Sequence, residues 1–216
     1  MKYKSVIFDM DGTVLDTLGD LLGAMNHAMA EHGFKAHTLE EMRSFVGDGL
    51  YMMAVRALPE SADKKLIDSV FQSFKAYYND HLNIRTKPYD GIPELLKKLK
   101  ETGIKTAVSS NKYDAGAKML SDIHFGDLID MTVGESELVP KKPDPTGTFL
   151  IMDTLGCDRE STLYVGDSGV DIQTARNAGL PMVAVCWGFR TRQQLEAAGA
   201  SRFAETVREL ESHILN

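Results

Sequence analysis

The spacing of apolar residues changes several times along this chain. Val6-Ile7-Phe8 is a short unbroken run of β-branched and aromatic side chains, the mark of a buried strand. From about Thr17 to Asn83 the spacing becomes helical. Leu18, Leu21, Leu22, Met25 and Met29 share one face, and Leu66, Val70, Phe74 and Tyr77 repeat the pattern. Breaks near 32–37, 45–49 and 58–62 divide this stretch into several helices, and helical spacing is already readable from Val14. After Pro88-Tyr89-Asp90-Gly91, short apolar runs at 105–110, 128–133, 162–165, 181–185 and 202–204 alternate with helical segments at 93–102, 114–123, 145–155, 169–178, 192–198 and 206–214. Such alternation predicts βαβ units and a parallel sheet.

The first strand must join that sheet, yet βα connections usually take only about 2–6 residues. Residues 17–86 are therefore expected to be an inserted all-helical cap domain. Residues 1–16 and 87–216 would form a doubly wound, Rossmann-like α/β core. The linkers at 15–17 and 86–91 leave and re-enter the sheet at neighbouring points, an arrangement suited to a hinge.

Composition narrows the function classes. At 216 residues, with 43% hydrophobic and 25% charged residues, the chain can bury a substantial core. A formal net charge of −7 argues against nucleic acid as a partner. No run of about 18 apolar residues and no signal-peptide pattern occurs, so neither membrane insertion nor export is expected. Cys157 and Cys186 lack metal-site spacing and read as free thiols, consistent with a cytoplasmic setting. The six histidines are scattered without a zinc pattern.

In an open parallel sheet, ligands bind beyond the carboxyl ends of the strands. The first run ends in Asp9-Met10-Asp11-Gly12-Thr13, the 105–110 run leads into Asn111-Lys112 past Ser109-Ser110, and the 162–165 run ends in Gly166-Asp167-Ser168 with Asp171 following. Asp-Gly also signals a hairpin, but a hairpin needs a second strand at once, and the spacing from Val14 is helical. Any one of these Ser or Asp residues is equally able to cap a helix. Their recurrence at one sheet edge is what points to a site. Asp9, Asp11 and Asp167 gathered there would repel one another unless a hard cation sat among them. Magnesium suits few carboxylates plus phosphate oxygens, which points to a small phosphorylated metabolite. Lys142, in Lys141-Lys142-Pro143-Asp144-Pro145, offers the opposite charge. A trypsin-like reading of Gly166-Asp167-Ser168-Gly169 requires an all-β fold and a histidine partner, neither of which this chain suggests.

These residues, in this order, resemble the haloacid dehalogenase superfamily across nearly the whole chain. Its Asp-x-Asp-Gly-Thr motif stands as Asp9–Thr13, its Ser or Thr as Ser110, its Lys before Pro-x-Pro as Lys142, and its Gly-Asp-x-x-x-Asp as Gly166, Asp167 and Asp171. Ser109 is the neighbouring alternative to Ser110. Within the superfamily, Tyr78-x-x-His81-Leu82 and Pro88-Tyr89-x-Gly91 are similar to segments of phosphoglycolate phosphatases. The resemblance implies a magnesium-dependent phosphomonoester hydrolase in which Asp9 is the nucleophile and forms an aspartyl-phosphate. Asp11 would be the acid and base. Ser110, Lys142 and Asn111 would bind phosphate, the last, like Gly12, through its backbone N–H. Asp9, Asp167 and the main-chain carbonyl of Asp11 would hold the metal, with Asp171 in its outer shell. Gly47-Asp48-Gly49 falls at the place of a cap specificity loop, flanked by Arg43, Tyr51 and Arg56. A phosphosugar mutase, a pyrophosphatase or a non-catalytic phospholigand-binding module are the other readings, and the chain would be a monomer or homodimer.

Overall fold

Ser5–Phe8 form strand β1, and all four residues are buried. Its single polar side chain is matched inside, Ser5 Oγ lying 2.7 Å from Thr162 Oγ1, as burial of a hydroxyl requires. The computed structural model describes residues 2–47 and 49–216. Its contacts divide the chain into two units, Met1–Leu15 with Pro88–Asn216, and Asp16–Lys87.

The first unit is built on a six-stranded sheet. Around β1 it contains β4 (Lys105–Tyr113), β5 (Met131–Glu135), β6 (Thr162–Gly166), β7 (Met182–Val185) and β8 (Phe203–Ala204), in the order β5-β4-β1-β6-β7-β8. Each neighbouring pair is parallel. Helices α5 (Ile92–Glu101), α6 (Asp114–His124), α7 (Thr146–Leu155), α8 (Gly169–Ala178), α9 (Arg192–Ala197) and α10 (Val207–Leu215) make the crossovers and the C-terminal segment. Their apolar faces close the core: Ile151 of α7 and Ala175 of α8 pack in one cluster with Ile7, Ala107, Val133 and Tyr164 of the sheet. From β1 the chain moves to β4 and β5 on one side, then returns to β6 on the other. The strand order thus reverses at β1, whose carboxyl end borders the crevice where such folds bind ligands.

The second unit is helical: α1 (Leu18–Glu31), α2 (Leu39–Phe45), α3 (Leu50–Ala57) and α4 (Lys64–Asp80). Thr38 and Glu41 form a capping box at the start of α2, and Asp63 caps α4, satisfying backbone donors that a helix start leaves open. The Met stripe read from the sequence is core, with Met25 and Met29 buried along with Val70 and Phe74, but Leu66 and Tyr77 are only half-buried and Tyr78 is the buried tyrosine. Asp20, also buried, accepts hydrogen bonds from the backbone N–H groups of Ile84, Arg85 and Thr86 and from the Thr86 hydroxyl, all at 2.8–3.0 Å. One carboxylate thereby fastens the beginning of this unit to its end. No helix among the described residues is long and apolar enough to cross a membrane.

The expected helix start at Val14 is wrong. Helix α1 begins at Leu18, because Met10 O already accepts from the N–H groups of Thr13, Val14 and Leu15. Gly12 N–H donates to Leu15 O at 2.9 Å, so the chain doubles back after Asp-Gly before Leu15–Asp16 forms the short strand β2. That strand pairs with β3 (Lys87–Pro88) in a separate two-stranded sheet. The spacing of residues 14–17 fits the first turn of a helix, but they belong to the turn after Asp11, to β2 and to the approach to α1.

Candidate active site

Asp9 follows β1 directly, and its N–H donates to Val165 O at 2.8 Å, keeping the chain in register with β6. Its carboxylate is nearly buried, and Oδ1 lies 2.6 Å from Lys142 Nζ. The same ammonium lies 2.7 Å from Asp171 Oδ1. Lys142 is placed by Asn111, at the end of β4: the Asn111 Oδ1 accepts from Lys142 N–H at 2.6 Å and its amide donates back to Lys142 O at 3.2 Å. The Asn111 side chain therefore holds the lysine's backbone.

Asp171 does two jobs. Its Oδ2 closes a capping box with Ser168 at the start of α8, accepting from Ser168 N–H at 3.2 Å and Ser168 Oγ at 2.6 Å, while Oδ1 faces Lys142. Asp167, after β6, accepts from Phe189 N–H at 2.6 Å and from Thr13 Oγ1 at 3.4 Å. Two glycines let the main chain close on it. A Cβ at Gly12, where φ is +93°, would stand 2.4 Å from Asp167 Oδ2, and one at Gly188 would stand 2.3 Å from that oxygen and 2.4 Å from Gly12 O. Gly188→Ala is accordingly expected to cost about 1–3 kcal/mol by overpacking and to displace Asp167; a thermal melt and the gain in melting temperature on adding a divalent cation check both effects.

One oxygen from each of Asp9, Asp167 and Asp171 lies within 4.8 Å of the others. Burial, then the charge of Asp171, raise the Asp9 carboxyl well above its ordinary range, against the pull of Lys142. Burial and Asp171 push Asp167 up to about 7. For Lys142 burial works against its charge, but Asp171 and Asp9 outweigh it and hold the ammonium well above its usual value. Acids that resist ionising beside a lysine that keeps its proton describe a pocket short of positive charge. Three carboxylates against one ammonium leave two negative charges uncompensated, the charge of one divalent cation. The donors are hard oxygens, so the cluster fits such an ion.

Asp11 lies apart from this trio. Its Oδ1 is 3.1 Å from Lys112 Nζ, and its Oδ2 accepts from Ser110 Oγ at 3.4 Å. Its side chain is thus turned away from the carboxylates that could share a metal, and Asp171 stands in the cluster instead. Of the two neighbouring serines, Ser110 is the one beside Asp11, while Ser109 Oγ is turned toward Gly147 of α7, as alternation along a strand requires. Lys112 and the Gly188-Phe189 turn are not among the candidates the sequence offers, and Thr13, part of the first motif, has no role assigned there. The period of two that puts Lys112 on the same face as Ser110 was the available signal for the first.

In the helical unit Gly47 and Gly49 adopt positive φ, +118° and +87°, while Asp48 lies outside the described residues. Arg56 Nη1 donates to Phe45 O at 2.8 Å and Gly47 O at 3.1 Å, bracing the loop from within. Tyr51 donates to Asp68 Oδ1 at 2.9 Å.

Residues 6–185 match the family model described as haloacid dehalogenase-like hydrolase. A protein of Aquifex aeolicus named phosphoglycolate phosphatase is 32% identical over 98% of this chain and 99% of its own length. One of Pseudomonas aeruginosa, named N-acetylmuramic acid 6-phosphate phosphatase, is 32% identical over 88% of this chain and 84% of its own. A solved structure from Lactobacillus delbrueckii subsp. bulgaricus superposes with a TM-score of 0.96 at 36% identity, covering 100% of both chains. With the four motifs gathered at one sheet edge and the family match running from β1 to β7, the chain belongs to the haloacid dehalogenase-like hydrolase family.

Proposed function

We propose that this chain is a phosphatase that hydrolyses a small phosphomonoester with magnesium as its cofactor, and that phosphoglycolate is the substrate its relatives' names favour. The observation that carries this reading is the Asp9 carboxylate, which ends the central strand, faces two further carboxylates and is held by Lys142. Asp9 attacks phosphorus as the ester oxygen departs, so the phosphoryl group is carried as an acyl phosphate. Water then attacks that phosphorus, which releases phosphate and restores the carboxylate. Asp11, two residues on, gives a proton to the departing oxygen and takes one from the incoming water. Lys142 and Ser110 hold phosphoryl oxygens, with Asn111 and Asp171 keeping the lysine in place. Asp9, Asp167 and the main-chain carbonyl of Asp11 would hold the magnesium ion, with Asp171 behind, and the ion would supply neutralisation of the phosphoryl charge.

Release of p-nitrophenol from its phosphate ester and of phosphate from phosphoglycolate, with magnesium and after chelation, tests this. No turnover on these esters or on a panel including sugar phosphates sinks the reading. The charge deficit gives a second check. Asp167 binds its proton more tightly folded than unfolded, from 3.8 to about 7. The folded state therefore carries the extra proton between those values, and metal-free stability falls as pH rises through that window, by on the order of a few kcal/mol. Magnesium should raise the melting temperature more at pH 8 than at pH 5; equal gains at both would count against the cluster as its site.

A further inference from the structure

Trp187 is half-buried, and its one polar atom is aimed at the first motif: the indole Nε1–H donates to Thr13 O at 3.1 Å. Two residues on, the Phe189 N–H donates to Asp167 Oδ2. The main chain of Gly188, between them, passes directly against both Gly12 O and Asp167 Oδ2. Residues 187–189 therefore touch two strand ends at once, those of β1 and β6. The segment continues from β7, which neighbours β6 but not β1, so it reaches past one strand end to meet the next. Strand register stops at Phe8 and Val165, and pairing alone does not set how far the turn after Asp11 lies from Asp167. On its other side the indole lies 6.5 Å from the Tyr89 ring, and Tyr89 N–H donates to Val14 O at 3.2 Å. Two successive carbonyls of the turn, those of Thr13 and Val14, are thus held by neighbouring aromatic residues.

With magnesium granted as the cofactor, we propose that Trp187 is a positioning residue for the metal. Through Thr13 O it holds the main chain of Asp11 at a set separation from Asp167, while the same segment holds the Asp167 carboxylate through Phe189 N–H. The two ligands would come from different strand ends, and hydrogen bonds behind ligands fix their orientation and strengthen binding. An indole suits the task because it has a single donor on a rigid frame and no acceptor. A phenyl ring in its place fills much of the space but leaves the carbonyl unheld.

The test is calorimetric titration of the metal-free protein with magnesium, in the wild type and in Trp187→Phe. The variant should bind the ion about 10-fold or more weakly, the usual effect of losing a hydrogen bond behind a metal ligand. Its kcat on p-nitrophenyl phosphate should return toward the wild-type value as magnesium is raised, with KM for the ester unchanged at saturating metal. A lower melting temperature with unchanged magnesium affinity overturns the proposal and leaves Trp187 as packing. If the phenylalanine variant does not fold, the wild type decides. Trp187 is the chain's one tryptophan, so tryptophan emission reports on this segment, and it should change with the same midpoint as the calorimetric binding. Binding without a change in emission overturns the positioning role while the cofactor reading stands. No magnesium binding by the wild type brings down both.

Discussion

Asp9→Asn is expected to lower kcat on phosphoglycolate or p-nitrophenyl phosphate by at least ~10,000-fold, because under the proposed mechanism the amide cannot form the acyl phosphate. The same change should leave the metal-free protein at least as stable as the wild type at pH 8. Burial and the charge of Asp171 already disfavour ionised Asp9, so a neutral group of equal size removes a repulsion that only Lys142 offsets. Steady-state kinetics beside a thermal melt separates the two effects. A variant that loses activity and stability together would make Asp9 a structural residue rather than the nucleophile.

Asp20→Ala should give the largest loss of stability. Asp20 is 5% exposed and serves three successive backbone N–H groups and a hydroxyl. Ile84 and Arg85 are exposed, so water is able to take over their N–H groups, whereas Thr86 is buried and would be left with two unpartnered donors. At about 1–3 kcal/mol for each orphaned group, the cost is on the order of 3–5 kcal/mol. Denaturant unfolding measures it, and hydrogen exchange should place the loss in Asp16–Lys87, the unit that Asp20 fastens. Asp20→Asn keeps one acceptor and should fall between. A loss below about 1 kcal/mol in the alanine variant would mean that helix packing alone holds the ends of this unit together.

What could be read from the sequence follows from where each signal lies. The α/β core was legible because its central strands are continuous apolar runs ended by Gly, Asp or Ser, and because residues 93–214 alternate without interruption. Asp9 and Asp11 stood out because two acids directly after a buried strand have no local purpose. Asp20 did not, since an acid in the first turn of a helix already has an ordinary explanation in the helix dipole; its partners lie 64–66 residues away. The start of α1 was misplaced because Val14 and Leu15 fit a helical face as well as they fit a turn. Lys112 looked like any strand-end lysine until the fold turned Asp11 toward it.

The register of the central strand has a further consequence for how the protein is made. Ser5–Phe8 pairs on one side with 105–108 and on the other with 162–165. A ribosome adding about 5–20 residues per second therefore releases β1 roughly 5–20 s before its first partner strand exists, and longer before its second. Residues 16–87, contiguous and helical, are complete well before either and are free to fold from local contacts while β1 waits. Asp9 is thus synthesised well before it reaches its place, because the partner of its N–H, Val165, and with it Asp167, leaves the ribosome much later.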